Sequence, residues 1–384
     1  MSFELPEETV AIKGLVRRLV ERYAMPMERK FLRGEPPSQE EHAAATQAAK
    51  EAGLWGLSLP KEYGGAALST LNNVVITEEN SRCLVPIQFG GNASFLLACN
   101  EEQKQRYLFP VLRGEKRMAF AQTEPSGGSD PGGMMQTTAV RDGDNWVING
   151  NKVFITRAGE ADFTVVMAVT DKDRRQHGGI TAFLVDRDTP GFKVVRQIPV
   201  MRASHTDGFV GPWELLFDDC VVPASQVLGE VGMGFRLAQR GLTSARMNIG
   251  AQCVGIADRC LEMMTDYAKQ RVLFGEPLAA KQGVQSMIVD SAVDVHATRL
   301  MTYDAACKND RGQDTRVEAG MMKLLGSEMV GRVVDRAIQI HGAYGVTTEL
   351  PFAHWYNRVR MMRIYEGASE VQKYQVVARA LLHR

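Results

Sequence analysis

The sequence predicts an α+β protein in three segments. These are an N-terminal α-helical domain over 1–116, a middle antiparallel β-barrel or sandwich domain over 117–230, and a C-terminal four-helix-bundle domain over 231–384. Three observations carry this reading. The outer segments repeat apolar residues at three- and four-residue spacing, whereas the middle one strings short β-prone runs between polar turns. No helix-length stretches separate those β runs, which argues against a parallel doubly wound sheet. And 384 residues are too many for one small core.

The elements follow in order. "ETVAIKGLVRRLVERYAMPMERKF" and "QEEHAAATQAAKEAGLWGLSL" carry the helical period, "PKEYGG" interrupts it, and "STLNNVVITEENSRC" and "NASFLLACNEEQKQRYLFPVLRGE" resume it. "NWVINGNKVFIT" places β-prone residues on both sides of Asn149-Gly150, a strong hairpin signal, so a turn is expected there. "FTVVMAVT", "GITAFLVD", "GFKVVRQIPV" and "WELLFDDCVV" are the further strands. From 231 onward three long stretches, beginning "GFRLAQRG", "KQGVQSM" and "VEAGMMK", have apolar faces too broad for exposed helices. They are expected to pack on one another and, with the surplus, on other subunits.

Composition narrows the function classes. The chain is 45% hydrophobic, 23% charged and formally neutral, with 45 basic and 45 acidic residues, so nothing global points to nucleic acid or an anionic membrane. The six cysteines are scattered without CxxC spacing, which reads as reduced thiols rather than disulfides or zinc ligands. "MSFELPEETVAIKGLVRRLV" enters an amphipathic helix at once, with no signal or transit pattern, and a cytoplasmic enzyme is expected.

Few motifs carry chemistry alone. In "GEVGMGFRLAQRG" a Gly232-x-Gly234 pair opens a helix, but Leu237 stands at the third glycine position, so a plain loop is the better reading. His341 and His354 read as structural. "FAQTEPSGGSDPGG" (120–133) exposes hydroxyls and backbone N–H groups around Thr123, Ser126 and Ser129, which fits either a turn-rich loop or a flat, phosphate-bearing ligand. In "RIYEGASEVQ" (363–372), Ser369 and Gln372 have capping-box spacing, so a helix is expected to start at Ser369 with Glu366 in the loop before it. From the residues alone, Glu366 is either a solvated loop carboxylate or a base.

"AQTEPSGGSDPGG", "NGNKVFIT", "RVLFGEPLAAKQ", "QIHGAYG" and "IYEGASEVQ" occur in the order and spacing of the acyl-CoA dehydrogenase family, which the whole chain resembles. The resemblance implies FAD-dependent α,β-dehydrogenation of an acyl-CoA thioester, with Glu366 taking the α proton and the β hydrogen leaving as hydride to flavin N5. Some members carry the base at the position of Ala245, where alanine cannot act. A carboxylate near its reference pKa of about 4.3 is a weak base for such a proton, and an apolar pocket raises it. Ile364, Tyr365 and Gly367 are expected to wall that pocket, and the Glu366 N–H with a flavin hydroxyl to receive the enolate oxygen.

By the same resemblance, Phe120, Gln122, Thr123, Gly128 and Ser129 flank the flavin, with Thr123 near N5 and Ser129 also facing the CoA. Phe154 and Thr156 form a second contact, with Phe154 where tryptophan is usual. Arg271 and Phe274 reach the FAD pyrophosphate of a neighbouring subunit, a role suited to a guanidinium. Gln282, Gln339, Gly342, Ala368 and Glu370 complete the cofactor set, Ala368 lacking the usual threonine hydroxyl. Substrate contacts fall to Ser129, Arg246, Tyr365 and Gly367, and no metal is expected. Arg358, Arg360 and Arg363 read as structural ion pairs, and 83–100 as acyl-pocket lining without a straight-chain signature. The expected partners are acyl-CoA, an electron-transferring flavoprotein and further copies of the chain in a homotetramer built as a dimer of dimers, in fatty acid metabolism. The rival readings are a flavin oxidase of the same fold passing electrons to oxygen, and a degenerate assembly subunit.

Overall fold

Apolar side chains three and four residues apart give each helix one face to bury, and what those faces meet sets the architecture. In a computed structural model of the chain, residues 4–90, 94–201 and 211–382 are described, apart from the Arg240 side chain. The chain divides into two compact units, one of Met1–Ser58, Ala66–Phe89 and Thr243–Arg384, the other of Leu59–Gly65 and Gly90–Leu242. Helices α1 (Glu7–Leu19), α2 (Met25–Leu32), α3 (Gln39–Glu51) and α4 (Thr70–Ser81) come first, followed by the short α5 (Glu101–Gln103) and α6 (Phe109–Arg113). After the strands come α7 (Gly234–Gln270), α8 (Gln282–Asp310), α9 (Arg316–His341), α10 (Pro351–Met362) and α11 (Arg379–Leu382).

In the first unit the N-terminal helices pack against the C-terminal ones. Val16, Met27 and Phe31 share a core with Ile256, Met264, Val333, Phe352 and Trp355. A wide turn at Val20–Ala24 joins α1 to α2 just ahead of Pro26, whose ring and missing N–H an ordinary α-turn would not accommodate. Two buried carboxylates on α4 add polar ties: Glu78 accepts from Arg299 at 2.9 Å and Tyr303 at 2.8 Å, and Glu79 from Arg17 at 2.9 Å. Along α8 the apolar stripe Val289, Val293 and Leu300 stays 58, 64 and 37% exposed, so this helix does not bury its whole apolar face within the chain.

The second unit holds an eight-stranded sheet. Its strands are β1 (Met118–Ala121), β2 (Thr138–Asp142), β3 (Asn145–Thr156), β4 (Phe163–Val169), β5 (Ile180–Asp186), β6 (Phe192–Gln197), β7 (Pro212–Pro223) and β8 (Val227–Leu228). The order is β6-β7-β3-β2-β4-β5-β8, with β1 also on β4. Among the described residues the β2–β4 pairing that joins the halves is at Thr138↔Val169, and Ile148, Leu215 and Phe217 from one share a core with Val166, Phe183 and Val185 from the other, as two stacked layers do. The opposite face of β4 and β5 packs on Leu96, Tyr107 and Leu108. Burial on both faces explains why these strands read as unbroken apolar runs.

Two sequence expectations need correction. The sheet is not wholly antiparallel, since β1 and β4 pair in parallel over four residues and β2 meets β4 in parallel. Asn149-Gly150 is no hairpin turn: it lies inside β3 at a shift in the register with β7. There the Asn149 amide pairs with Asp219, accepting from its backbone N–H at 2.7 Å and donating to its carboxylate at 3.0 Å. The β2–β3 turn is instead at Gly143, φ +56°, in "RDGDNW".

Candidate active site

Glu366 follows α10 on a tight loop, with backbone φ of +55°, and Gly367 follows at +92°. A left-handed glutamate is costly by about 1 kcal/mol and persists only where neighbours hold it. The holders are specific. Arg246 Nε on α7 donates to the Glu366 carbonyl at 3.3 Å. The Gln372 amide donates to the Glu366 carbonyl at 3.1 Å and the Gly367 carbonyl at 3.0 Å. Lys323 Nζ on α9 donates to the Gly367 carbonyl at 2.7 Å. The φ of +92° at position 367 favours glycine, and a side chain there would also displace that Gln372 amide.

Among the described residues the Glu366 N–H has no acceptor, so this backbone donor is free for a ligand. Burial pushes the Glu366 carboxyl above the ordinary range, and the charges of Arg246 and Lys323 pull it partly back. Burial also lowers Arg246, which is only 8% exposed, and holds Lys323, which is fully buried, down at about 8. The site is therefore a partly desolvated carboxylate facing two buried cations, with an unused N–H beside it.

The helix after Glu366 begins at Ser369 as expected, but not by a capping box. The Ser369 hydroxyl donates to Glu328 at 2.7 Å, and Gln372 reaches back to the loop carbonyls instead of to the Ser369 N–H. Arg363 also pairs with Glu328, whereas neither Arg358 nor Arg360 has a carboxylate within ion-pair distance among the described residues. The expectation of three structural ion pairs holds for Arg363 alone. Arg246 is buried, while Ile364 and Tyr365, expected to wall a pocket, are 59 and 42% exposed. Glu370 is exposed and Ala368 half-buried; the Ala368 carbonyl accepts from the Gln372 N–H at 3.0 Å.

In the second unit the loop 120–129 and strand β3 form a continuous patch. Phe120 stacks on Phe95 with ring centroids 4.5 Å apart. The Thr123 carbonyl accepts from the Val153 N–H at 3.0 Å, and that of Gln122 from Lys152 Nζ at 3.1 Å. Beneath them Lys152 Nζ, fully buried, pairs with Glu124 at 2.8 Å, and Glu124 also accepts from the Gln136 and Thr137 N–H groups. Burial lowers Lys152 to about 8 against the pull of Glu124. Burial pushes Glu124 up, but Lys152, Thr137 and Gln136 together more than reverse it and keep it ionised. Phe154 sits at φ +59° beside a register shift and turns outward, 57% exposed. Gly128, Ser129 and Thr156 are exposed, and the Thr123 hydroxyl has no partner among the described residues.

The other cofactor candidates lie on the first unit. Phe274, 95% exposed and at φ +53°, tips a two-stranded hairpin of β9 (Val272–Leu273) and β10 (Glu276–Pro277). Arg271, Gln282, Gln339 and Gly342 are also exposed, and Arg271 has no carboxylate within ion-pair distance among the described residues. At this hairpin the outward Phe274 ring and the Arg271 guanidinium leave an aromatic face and a phosphate donor open to solvent.

Sequence reasoning missed Lys323, Gln372, Lys152 and Glu124. For Lys152 the signal was available, since strand parity aligns it with the inward residues Trp146 and Ile148. Lys323 stands amid "MMKLLG", and a lysine with an apolar stem does not by itself declare burial. Of the 83–100 segment, 91–93 lie outside the described residues.

Family models match the chain along its length. The acyl-CoA dehydrogenase N-terminal domain matches residues 6–115, the middle domain 119–210 and the C-terminal domain 232–382. The (R)-benzylsuccinyl-CoA dehydrogenase of Thauera aromatica is 35% identical over 99% of this chain and 97% of its own. The mitochondrial short-chain specific acyl-CoA dehydrogenase of Rattus norvegicus is 36% identical over 99% and 92%. The solved butyryl-CoA dehydrogenase of Megasphaera elsdenii superposes with a TM-score of 0.86 at 32% identity, all of both chains covered.

Proposed function

The chain belongs to the acyl-CoA dehydrogenase family and is an oxidoreductase, and on that premise we propose that it forms the 2-enoyl-CoA from an acyl-CoA with Glu366 as base. The observation that carries this is the loop itself, where a carboxylate with a raised pKa adjoins a free backbone N–H. A base held above the ordinary range accepts the α proton of a thioester better than a solvated carboxylate does. The Glu366 N–H donates to the thioester carbonyl oxygen, where charge builds as that proton leaves. Arg246 holds the loop carbonyl, and its charge opposes the burial that raises the carboxyl.

When bound, FAD supplies the acceptor for the β hydrogen and its electron pair. Phe120, Gln122, Thr123, Gly128, Ser129, Phe154, Thr156, Gln282, Gln339, Gly342, Ala368 and Glu370 are its proposed contacts. Ser129, Tyr365 and Gly367 are the proposed substrate contacts alongside Arg246. Arg271 and Phe274 are proposed to serve the FAD of a neighbouring copy in a homotetramer, a reading supported by their exposure and by the bare stripe on α8. The proposed electron acceptor is an electron-transferring flavoprotein, and the proposed setting is fatty acid metabolism in the cytoplasm. No helix among the described residues is long and apolar enough to cross a membrane.

The test is anaerobic. The purified protein should carry flavin absorbance, and at least one of a panel of straight, branched, aromatic and alicyclic acyl-CoAs should bleach it. Glu366→Gln should keep the flavin and abolish the bleaching. Rapid reoxidation in air with peroxide would identify an oxidase instead, and a protein that takes up no flavin would end the reading.

A further inference from the structure

We propose that Lys323 is a positioning residue for Glu366, fixing the loop through the Gly367 carbonyl and holding the neighbouring carboxylate in its proton-accepting form by charge. The inference rests on the reading of Glu366 as the base.

Lys323 is fully buried on α9 within the run Met321-Met322-Lys323-Leu324-Leu325. Burying an ammonium costs several kcal/mol unless a counter-charge compensates. No carboxylate lies within ion-pair distance of it among the described residues, and it donates a 2.7 Å hydrogen bond to the Gly367 carbonyl. A methionine would suit this run better for packing alone, so the cation is retained against a cost. What it gains lies in the loop, where Arg246, Gln372 and Lys323 act on two successive carbonyls. Both of those residues have positive φ, and the free N–H of Glu366 is aimed by the same backbone.

The surrounding charges leave Glu366 as the natural counterpart. On α7, Arg246 repels Lys323, and Cys253 is a thiol that burial pushes up to about 12, hence neutral. On α9 itself, Glu328 is taken up by Arg363 and Ser369. Arg358 of α10 acts on Cys253, and Lys373 of the helix that begins at Ser369 on Glu328. Lys323 and Arg246 are the cations that draw Glu366 down against its burial. Once Glu366 takes the proton, the attraction disappears, and Lys323, already lowered to about 8, holds its own proton less firmly.

The test compares flavin-loaded wild type with Lys323→Met, Lys323→Gln and Lys323→Arg. Two readouts are followed against pH: the rate of anaerobic flavin reduction at saturating acyl-CoA, and the titration of the Glu366 carboxyl by NMR of 13C-glutamate-labelled protein without substrate. The Glu366 signal is identified by its loss in Glu366→Gln. Lys323→Gln keeps a donor for the Gly367 carbonyl but no charge, so it decides the matter even if Lys323→Met does not fold. In Lys323→Gln the Glu366 titration and the acid limb should both move up by about one pH unit. On the acid limb the rate at a given pH should therefore fall about tenfold with KM little changed. Lys323→Arg should restore the wild-type titration. An unshifted Glu366 titration in flavin-loaded Lys323→Gln overturns the inference. A wild type that no acyl-CoA bleaches, but whose Glu366 still titrates higher in Lys323→Gln, defeats the dehydrogenase reading and leaves the coupling standing.

Discussion

Glu366 is held in a left-handed backbone and in surroundings that disfavour its charge, and each condition is a load on the fold. The charge load has a definite sign. A carboxyl raised in the folded protein binds its proton more tightly there than in the unfolded chain, so it adds stability below the ordinary value of about 4.3 and removes it as pH rises through the folded value. Glu366→Gln should therefore unfold at a higher denaturant concentration than wild type at pH 7. The gain should shrink at pH 4, and catalysis should drop by about a hundredfold or more. A midpoint at pH 7 below that of wild type would show that the carboxylate supports the fold instead. Glu366 was legible in the sequence because its neighbours form a motif. Its holders were not, because Lys323 and Gln372 act from 43 residues upstream and 6 downstream, through contacts to carbonyls that carry no side-chain signature.

Strand β3 shows the same limit at the scale of an element. Its β-branched residues and alternation declared a strand, but the Asn-Gly signal is local and was outweighed by a partner 70 residues away, the Asp219 that occupies the Asn149 amide. The strand also carries Lys152, whose pairing with Glu124 ties it to the 120–129 loop. Lys152→Met strips a buried carboxylate of its cation and should cost about 3–5 kcal/mol by chemical denaturation. Adding Glu124→Gln, which keeps an acceptor for the Thr137 N–H, should recover much of that loss. Equal costs for the single and double variants would mean that the ion pair is not the source. Acid should have a related effect: Glu124, kept below the ordinary range, contributes stability above about pH 4.3 that is lost as pH falls through its folded value.

For the whole molecule, the succession of helices, strands and helices was legible from periodicity alone. That α1 and α2 share one core with α7, α9 and α10 was not, because an apolar face does not name its partner. The same ambiguity attaches to α8, whose stripe at Val289, Val293 and Leu300 remains bare. Val289→Glu with Val293→Glu should leave the chain folded by circular dichroism but move it to a smaller species in light scattering. An unchanged mass would assign the stripe another role. The exposed hairpin has a genetic consequence. If Arg271 and Phe274 of one chain serve the FAD of another, a chain killed by Glu366→Gln can still lend a sound hairpin, and a chain crippled by Arg271→Glu can still lend a sound base. Co-expressed, the two inactive alleles should complement each other. Random pairing places both intact halves together in roughly a quarter of the sites, and activity should return to about that fraction of the wild-type level.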